Sequence, residues 1–413
     1  MDFPRGSSNL TASSNFFLGP GRSARHDRRT STWEKRTALP KTGAGGNSFK
    51  RRTVKAKREW EGRDGGFVAA AERAGGPRTG EGRVGFRVDV EKRGGGDVYT
   101  MRDDVSGASA SVLPSYGFNL FDLRLPVAGE VRPIVVSDPT FADKPAGAGG
   151  NGTPILFPFP NRIRGGRFTF EGKEYAIPTN KGGNAIHGFA VDVPWDVVEH
   201  KATPAGAVVE GRFQLSVHAP EHCDHWPTDA VLYVRYTLAD RGLTMAVTVS
   251  NPTAVDLPYG FGIHPYFRLP FAPDGDLART RIILPASRSW ELRDFLPTGT
   301  VSDVPDRLDF RKGKPIQGLA LDDVLTGLEH IDGGAACRLM DLDANAEFQL
   351  GFDESFRELV VYTPPGKPGV IAIEPYTQTT DAINLQPQGL DAGLRVLGHG
   401  EEHVMTLTMR TIG

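Results

Sequence analysis

The segment Ala230–Ser250 constrains the fold of this chain most tightly. Leu243, Met245, Val247 and Val249 occupy every second position, with Thr244, Ala246 and Thr248 between them. Side chains alternate between the two faces of a β-strand, so this spacing predicts one buried and one open face. An α-helix would scatter the same residues around its axis. The preceding run, Ala230–Leu238, is joined to it by Asp240-Arg241-Gly242, a turn signal that predicts an antiparallel hairpin.

The pattern recurs along the chain. Val84–Val90 alternates, Ala108–Val112 and Phe118–Val127 read as paired strands, and Val131–Val136 follows. Phe168–Tyr175 reads as a tight hairpin about Glu171-Gly172, and Met405, Leu407 and Met409 alternate with threonines near the end. The 413 residues include 50 Gly and 31 Pro, many turn formers, and no stretch after Val84 carries a long amphipathic helical pattern. These features predict an all-β sandwich or barrel over residues 84–413, with no linker to divide it.

Residues 1–83 differ. Residues 1–80 hold 17 Lys and Arg against 7 Asp and Glu, although the whole chain carries a net charge of only −2. Too little apolar surface is available there to offset the entropy of ordering, so a disordered basic extension is expected. It reads either as a tail for an acidic surface such as nucleic acid, or as an extension without function from a wrongly assigned start. Sparse aromatic interleaving favours the second, and no nucleic-acid partner is expected. No apolar run of membrane-spanning length and no apolar export signal occur, so the expectation is a soluble, cytoplasmic protein with no membrane partner. Cys223 and Cys337 form no framework and are expected to be free thiols.

Two motifs lead nowhere. Gly147–Gly152 matches GxGxxG, but Pro154 and the extended Ile155–Pro160 follow where a dinucleotide site requires a helix, so a glycine-rich loop is expected. His218, His222, Cys223, Asp224 and His225 crowd one stretch, but their spacing and the nearby Pro220 and Trp226-Pro227 predict a loop and no metal site. GxSxG, HExxH and Walker A motifs are absent.

Four segments set a polar residue among apolar, Gly and Pro neighbours. They are Pro158–Ile163 with Asn161 and Arg162, Asn184–Phe189 with His187, Tyr259–Phe267 with His264, and Ala372–Pro375 with Glu374. A carboxyl placed directly after the apolar run Val370–Ile373 is expected to have a raised pKa, useful for moving protons near neutrality. Taken singly, each segment has a plain structural account, because buried polar groups often do no more than satisfy the backbone.

Taken together and in order, N-R-I, N-x-x-H-G, G-x-H-P-Y-F and I-E-P followed by D-A-x-N resemble the aldose 1-epimerase family. Here they are Asn161–Ile163, Asn184–Gly188, Gly262–Phe267, Ile373–Pro375 and Asp381–Asn384. The resemblance runs from about Val84 to Gly413 and implies a galactose mutarotase-like fold, a large antiparallel β-supersandwich with an open sugar cleft. It implies Glu374 as the base that takes the proton from the C1 hydroxyl of a small-molecule sugar, and His264 as the acid that protonates the ring oxygen. It also implies Arg162 and His187 as holders of sugar hydroxyls, with Asn161 and Asn184 beside them. No metal, redox cofactor or covalent intermediate is needed. The Asp that such enzymes carry in a D-x-x-aromatic segment matches Asp322, with Asp323 as the alternative and Leu325 in the aromatic position. Carboxylate and guanidinium suit sugars because each makes two directed hydrogen bonds to vicinal hydroxyls. Trp195, Phe189 and Tyr266 offer apolar faces for a sugar or belong to the core.

The pattern departs from galactose-type mutarotases in two places. Phe189 follows His-Gly where a second Gly is usual, and Ile263 precedes the acid histidine where Asn is usual. The sugar is therefore open, including a phosphorylated hexose, for which Arg164, Arg167 and Arg268 stand near the motifs. A non-catalytic sugar-binding or sensing protein is the alternative on the same fold; the presence of both Glu374 and His264 favours an enzyme. Oligomeric state is not legible.

Overall fold

Val231–Ala239 and Gly242–Ser250 pair antiparallel, from Val231 opposite Ser250 to Ala239 opposite Gly242. The turn runs through Asp240 and Arg241, both at positive φ. Leu243, Met245, Val247 and Val249 are all buried, as their alternation predicts. This computed structural model describes residues 85–147 and 149–412; the basic extension expected at residues 1–83 lies outside the described residues.

That hairpin sits within an eight-stranded antiparallel sheet. In spatial order its strands are Asp196–Thr203, Gly206–Gln214, Val231–Ala239, Gly242–Ser250, Glu402–Ile412, Ala346–Asp353, Gly334–Asp341 and Thr280–Ile283. A five-stranded meander, Phe86–Arg93 to Glu130–Pro133, forms a second sheet from the expected strands near the start of the domain. A third sheet runs through Leu296–Asp303, Ala286–Arg293, Asp322–Leu328, Glu358–Tyr362, Val370–Tyr376, Gly262–Ile263 and Ile155–Leu156, with Tyr266–Arg268 also paired to Val370–Tyr376. The hairpin at Glu171-Gly172 forms as read, with Arg167–Phe170 against Lys173–Ala176. The fold is the all-β supersandwich.

The core lies between sheets, where inward faces of alternating strands meet. Phe118 stacks on Trp195 and on Tyr236, each at 5.5 Å between ring centroids. Burial of such side chains contributes about 1.5–3 kcal/mol apiece. The α-helices among the described residues are single turns, Leu215–His218 and Ala382–Leu385. No helix among them is long and apolar enough to cross a membrane.

Candidate active site

The floor of the site is the third sheet. Val370–Tyr376 is buried along its whole length. Ile371 and Ile373 face the main core, so period-2 alternation puts Ala372, Glu374 and Tyr376 on the opposite face. Antiparallel partners share a face, and Glu374 is opposite Val360, while Ala372 is opposite both Tyr362 and Tyr266. Tyr362 is in turn opposite Asp322. Register alone therefore collects Glu374, Tyr376, Tyr362, Tyr266 and Asp322 on one surface.

His264 hangs between Gly262–Ile263 and Tyr266–Arg268, its amide N–H donating to the Pro154 carbonyl at 2.9 Å. The His264 Nε2 lies 3.2 Å from Glu374 Oε1 and 3.3 Å from the Tyr266 hydroxyl. The Tyr266 ring stacks on the imidazole, 4.6 Å between centroids. Tyr376 donates its hydroxyl to the other Glu374 oxygen, Oε2. His264 Nδ1 is buried without a hydrogen-bond partner among the described residues, which leaves Nε2 as the working nitrogen.

Burial governs the ionisation of this pair. It raises the Glu374 carboxyl well above the ordinary range, reinforced by the charge of Asp322 and opposed by the Tyr376 hydrogen bond and by Arg162. Burial pushes His264 down to about 3. The acid role that the resemblance implies for His264 therefore needs a partner for its charge. Glu374 Oε1, 3.2 Å from His264 Nε2, is placed to be that partner when it is ionised.

A second wall comes from loops. Asn161 and His187 both adopt left-handed backbone, φ 55 and 70, and the His187 amide donates to the Asn161 carbonyl at 2.9 Å. Gly188, φ 72, lies so close to Phe157 that a Cβ there would meet its carbonyl oxygen at 2.1 Å, which explains the glycine after His187. Arg162 donates to Asn161 Oδ1 at 3.0 Å and lays its guanidinium over the Phe295 ring, 4.8 Å from the centroid. Behind it, the Asp381 amide donates to the Arg162 carbonyl at 2.9 Å. Floor and wall enclose a cavity of about 420 Å³ lined by Asn161, Arg162, Lys181, His187, His264, Tyr266, Asp322, Tyr362, Lys367 and Glu374 among others. Few convergent polar groups over a partly apolar surface is the usual make-up of a small-molecule site.

A family model, aldose 1-epimerase, matches residues 97–410. The chain belongs to the aldose 1-epimerase family. An uncharacterized protein of Escherichia coli K12, YphB, is 31% identical over 164 residues, 39% of this chain and 50% of that protein. Rat galactose mutarotase is 29% identical over 161 residues, 38% of this chain and 44% of that protein. The matched part of the chain thus spans about half the length of these curated relatives. Among solved structures, a galactose mutarotase-like protein from Clostridium acetobutylicum superposes with a TM-score of 0.72 at 21% identity, over 80% of this chain and 100% of that one. At that identity the likeness is one of fold.

Within this aldose 1-epimerase fold, Glu374, His264, Arg162, His187, Asn161 and Asp322 line one cavity. Asn184 does not: its Oδ1 accepts from the Gly165 amide at 3.0 Å, so it braces the loop that carries His187. Asp322 and Asp323 separate by face. Asp323 points the other way and forms a two-pronged ion pair with Arg307, at 3.0 and 2.6 Å. Burial raises the Asp322 carboxyl from its ordinary range, and Arg162 opposes that. Of the aromatic candidates, Tyr266 lines the cavity, whereas Trp195 and Phe189 are core. Trp195 donates to the Ala190 carbonyl, and Phe189 stacks on His222 at 4.3 Å. Residues 149–152 of the glycine-rich segment open no helix, as expected, and Gly149 and Gly150 edge the cavity. Tyr376, Tyr362, Lys181 and Lys367 had no place in the sequence reading. Tyr376 alone had a signal, its position two residues beyond Glu374 in an apolar strand.

Proposed function

We propose that this protein interconverts the α and β anomers of a free aldose. The observation that carries the reading is the contact between Glu374 Oε1 and His264 Nε2 at the base of a cavity lined by Arg162, His187 and Asp322. The hydroxyl oxygen and the ring oxygen of a cyclic sugar are bonded to the same carbon, C1. A proton acceptor and a proton donor in mutual contact therefore span both.

In this mechanism Glu374 takes the proton from the C1 hydroxyl while His264 delivers one to the ring oxygen. The C1–ring oxygen bond breaks, giving the open aldehyde. Rotation about C1–C2 presents the other face, and on reclosure the former ring oxygen gives its proton back to His264 while Glu374 returns its proton to the C1 oxygen. The pair starts and ends with the same single proton, so solvent need not supply one. Burial of the uncompensated charge is costly, and the 3.2 Å contact offsets it by letting charge appear on both groups together. Arg162 and Asp322 suit vicinal hydroxyls, and His187, which burial keeps neutral, suits a single one.

Lys181 and Lys367 favour a second form of the reading, an aldose bearing an anionic group such as phosphate. Both line the cavity, and neither has a carboxylate oxygen within 4.0 Å among the described residues. Mutarotation kinetics on free and phosphorylated hexoses separate the two. Acceleration of the phosphorylated sugar alone, lost on Lys367→Ala, supports the anionic substrate, and acceleration of free hexoses supports the neutral one.

A further inference from the structure

Tyr266 lines the Glu374 cavity, yet it is only 4% exposed. Its ring stacks on the His264 imidazole and packs in an apolar cluster with Val370 and Ala372. A ring so covered offers a sugar no apolar face, so what Tyr266 brings to the cavity is its hydroxyl. Backbone pairing fixes where that hydroxyl stands. The Tyr266 amide donates to the Gly152 carbonyl at 3.1 Å, its carbonyl accepts from the Val136 amide at 2.8 Å, and the residue is paired opposite Ala372.

Within the protein this hydroxyl has a poor acceptor. It lies 3.3 Å from His264 Nε2, long for a hydroxyl hydrogen bond. The two rings are 19° from parallel, so the hydroxyl approaches Nε2 from above the imidazole plane, whereas the nitrogen lone pair lies in that plane. The phenol oxygen is itself engaged by a backbone hydrogen bond from Gly150. Its O–H is therefore available to a better acceptor in the cavity. Burial raises the hydroxyl above its ordinary range, the Glu374 charge adds to the rise, and the Gly150 bond opposes it. The group keeps its proton throughout the neutral range.

We propose that Tyr266 is a further catalytic residue, whose hydroxyl donates a hydrogen bond to the ring oxygen of the sugar. The inference rests on the epimerase reading of the Glu374 cavity. In that reading His264 Nε2 faces the ring oxygen, and a hydroxyl 3.3 Å from Nε2 reaches the same atom. When the bond from C1 to the ring oxygen breaks, its electron pair stays on that oxygen. One lone pair takes the proton from His264 and the other accepts from Tyr266. No bond to Tyr266 forms or breaks and it gives up no proton, so the proton balance of Glu374 and His264 is unchanged. Burial makes a charged His264 costly, and a neutral donor beside it stabilises the charge that develops on the ring oxygen.

The test compares wild type with Tyr266→Phe on freshly dissolved α-D-glucose and α-D-galactose from pH 5 to pH 9, with kcat and KM separated. Phenylalanine keeps the stack and the packing, so thermal melts of the two proteins are expected to match. The expected result is a kcat lower by about a hundredfold with KM within about threefold, because the bond strengthens only as charge develops. Both limbs of the pH profile are expected to stay in place. Burial, Tyr376, Asp322 and Arg162 set the Glu374 carboxyl, and burial sets His264. A kcat within about threefold of wild type, or a loss confined to KM, overturns the role of Tyr266. So does a displaced limb with the plateau kcat retained, since the hydroxyl then acts only through His264. These outcomes leave the epimerase reading standing. Acceleration of neither sugar by wild type overturns both.

Discussion

Tyr376 donates its hydroxyl to Glu374 Oε2 while His264 Nε2 meets Oε1, so both carboxyl oxygens are occupied from within the sheet. The Tyr376 bond favours the ionised carboxyl, against the burial that raises it. Removing the donor therefore raises the carboxyl further. Tyr376→Phe is expected to move the acid limb of the kcat/KM profile upward by about one pH unit, about tenfold less activity on that limb. An unmoved limb separates Tyr376 from the proton chemistry.

Asp322 and Asp323 are neighbours on opposite faces, and they separate by experiment. Asp322→Asn is expected to raise KM by about tenfold, because the amide loses a charged acceptor in the cavity. Asp323→Asn is expected to leave KM unchanged and to cost about 1 kcal/mol or less by loosening an exposed pair with Arg307. Steady-state kinetics and denaturant titrations of both variants test this, and a larger KM effect from Asp323→Asn contradicts the assignment.

Gly188 fixes the loop that presents His187. An added Cβ meets the Phe157 backbone and the left-handed φ disfavours any side chain. Gly188→Ala is expected to destabilise the fold by about 2 kcal/mol or more and to impair sugar binding in whatever folds. Wild-type stability with wild-type KM shows that the loop does not need this contact.

Glu358 lies on the same face as Tyr376, accepting from Trp290 Nε1 and the Thr326 hydroxyl at 3.1 Å each. Burial pushes its carboxyl up to about 8. The folded state then holds a proton that the unfolded chain releases near its ordinary value of 4.5. Stability from this group is full below that value and declines as pH rises towards 8, by about 1.4 kcal/mol per unit. Thermal melts from pH 5 to pH 9 are expected to fall more steeply for wild type than for Glu358→Gln. Parallel curves contradict the assignment.

Much of the fold was legible because alternation is a local property. Leu243 to Val249 had to face a core, and the turn residues fixed the hairpin. Glu374, His264, Arg162 and His187 were legible as polar residues in apolar or glycine-rich settings, and their family order supplied the link between them. What one strand presents to another was not legible. Asp322 and Asp323 look alike until register assigns their faces. Trp195 and Phe189 look like sugar platforms until packing buries them. Lys367 reaches the cavity only through tertiary placement of its loop, and no local pattern marks it.

On the proposed mechanism the Glu374–His264 pair moves protons at C1. Polarimetry or NMR of freshly dissolved α-D-glucose and α-D-galactose, with wild type beside Glu374→Gln, tests it most directly. Acceleration by wild type, with a loss of about a thousandfold or more in Glu374→Gln and sugar binding retained, is the predicted result. Undiminished turnover by Glu374→Gln contradicts the account.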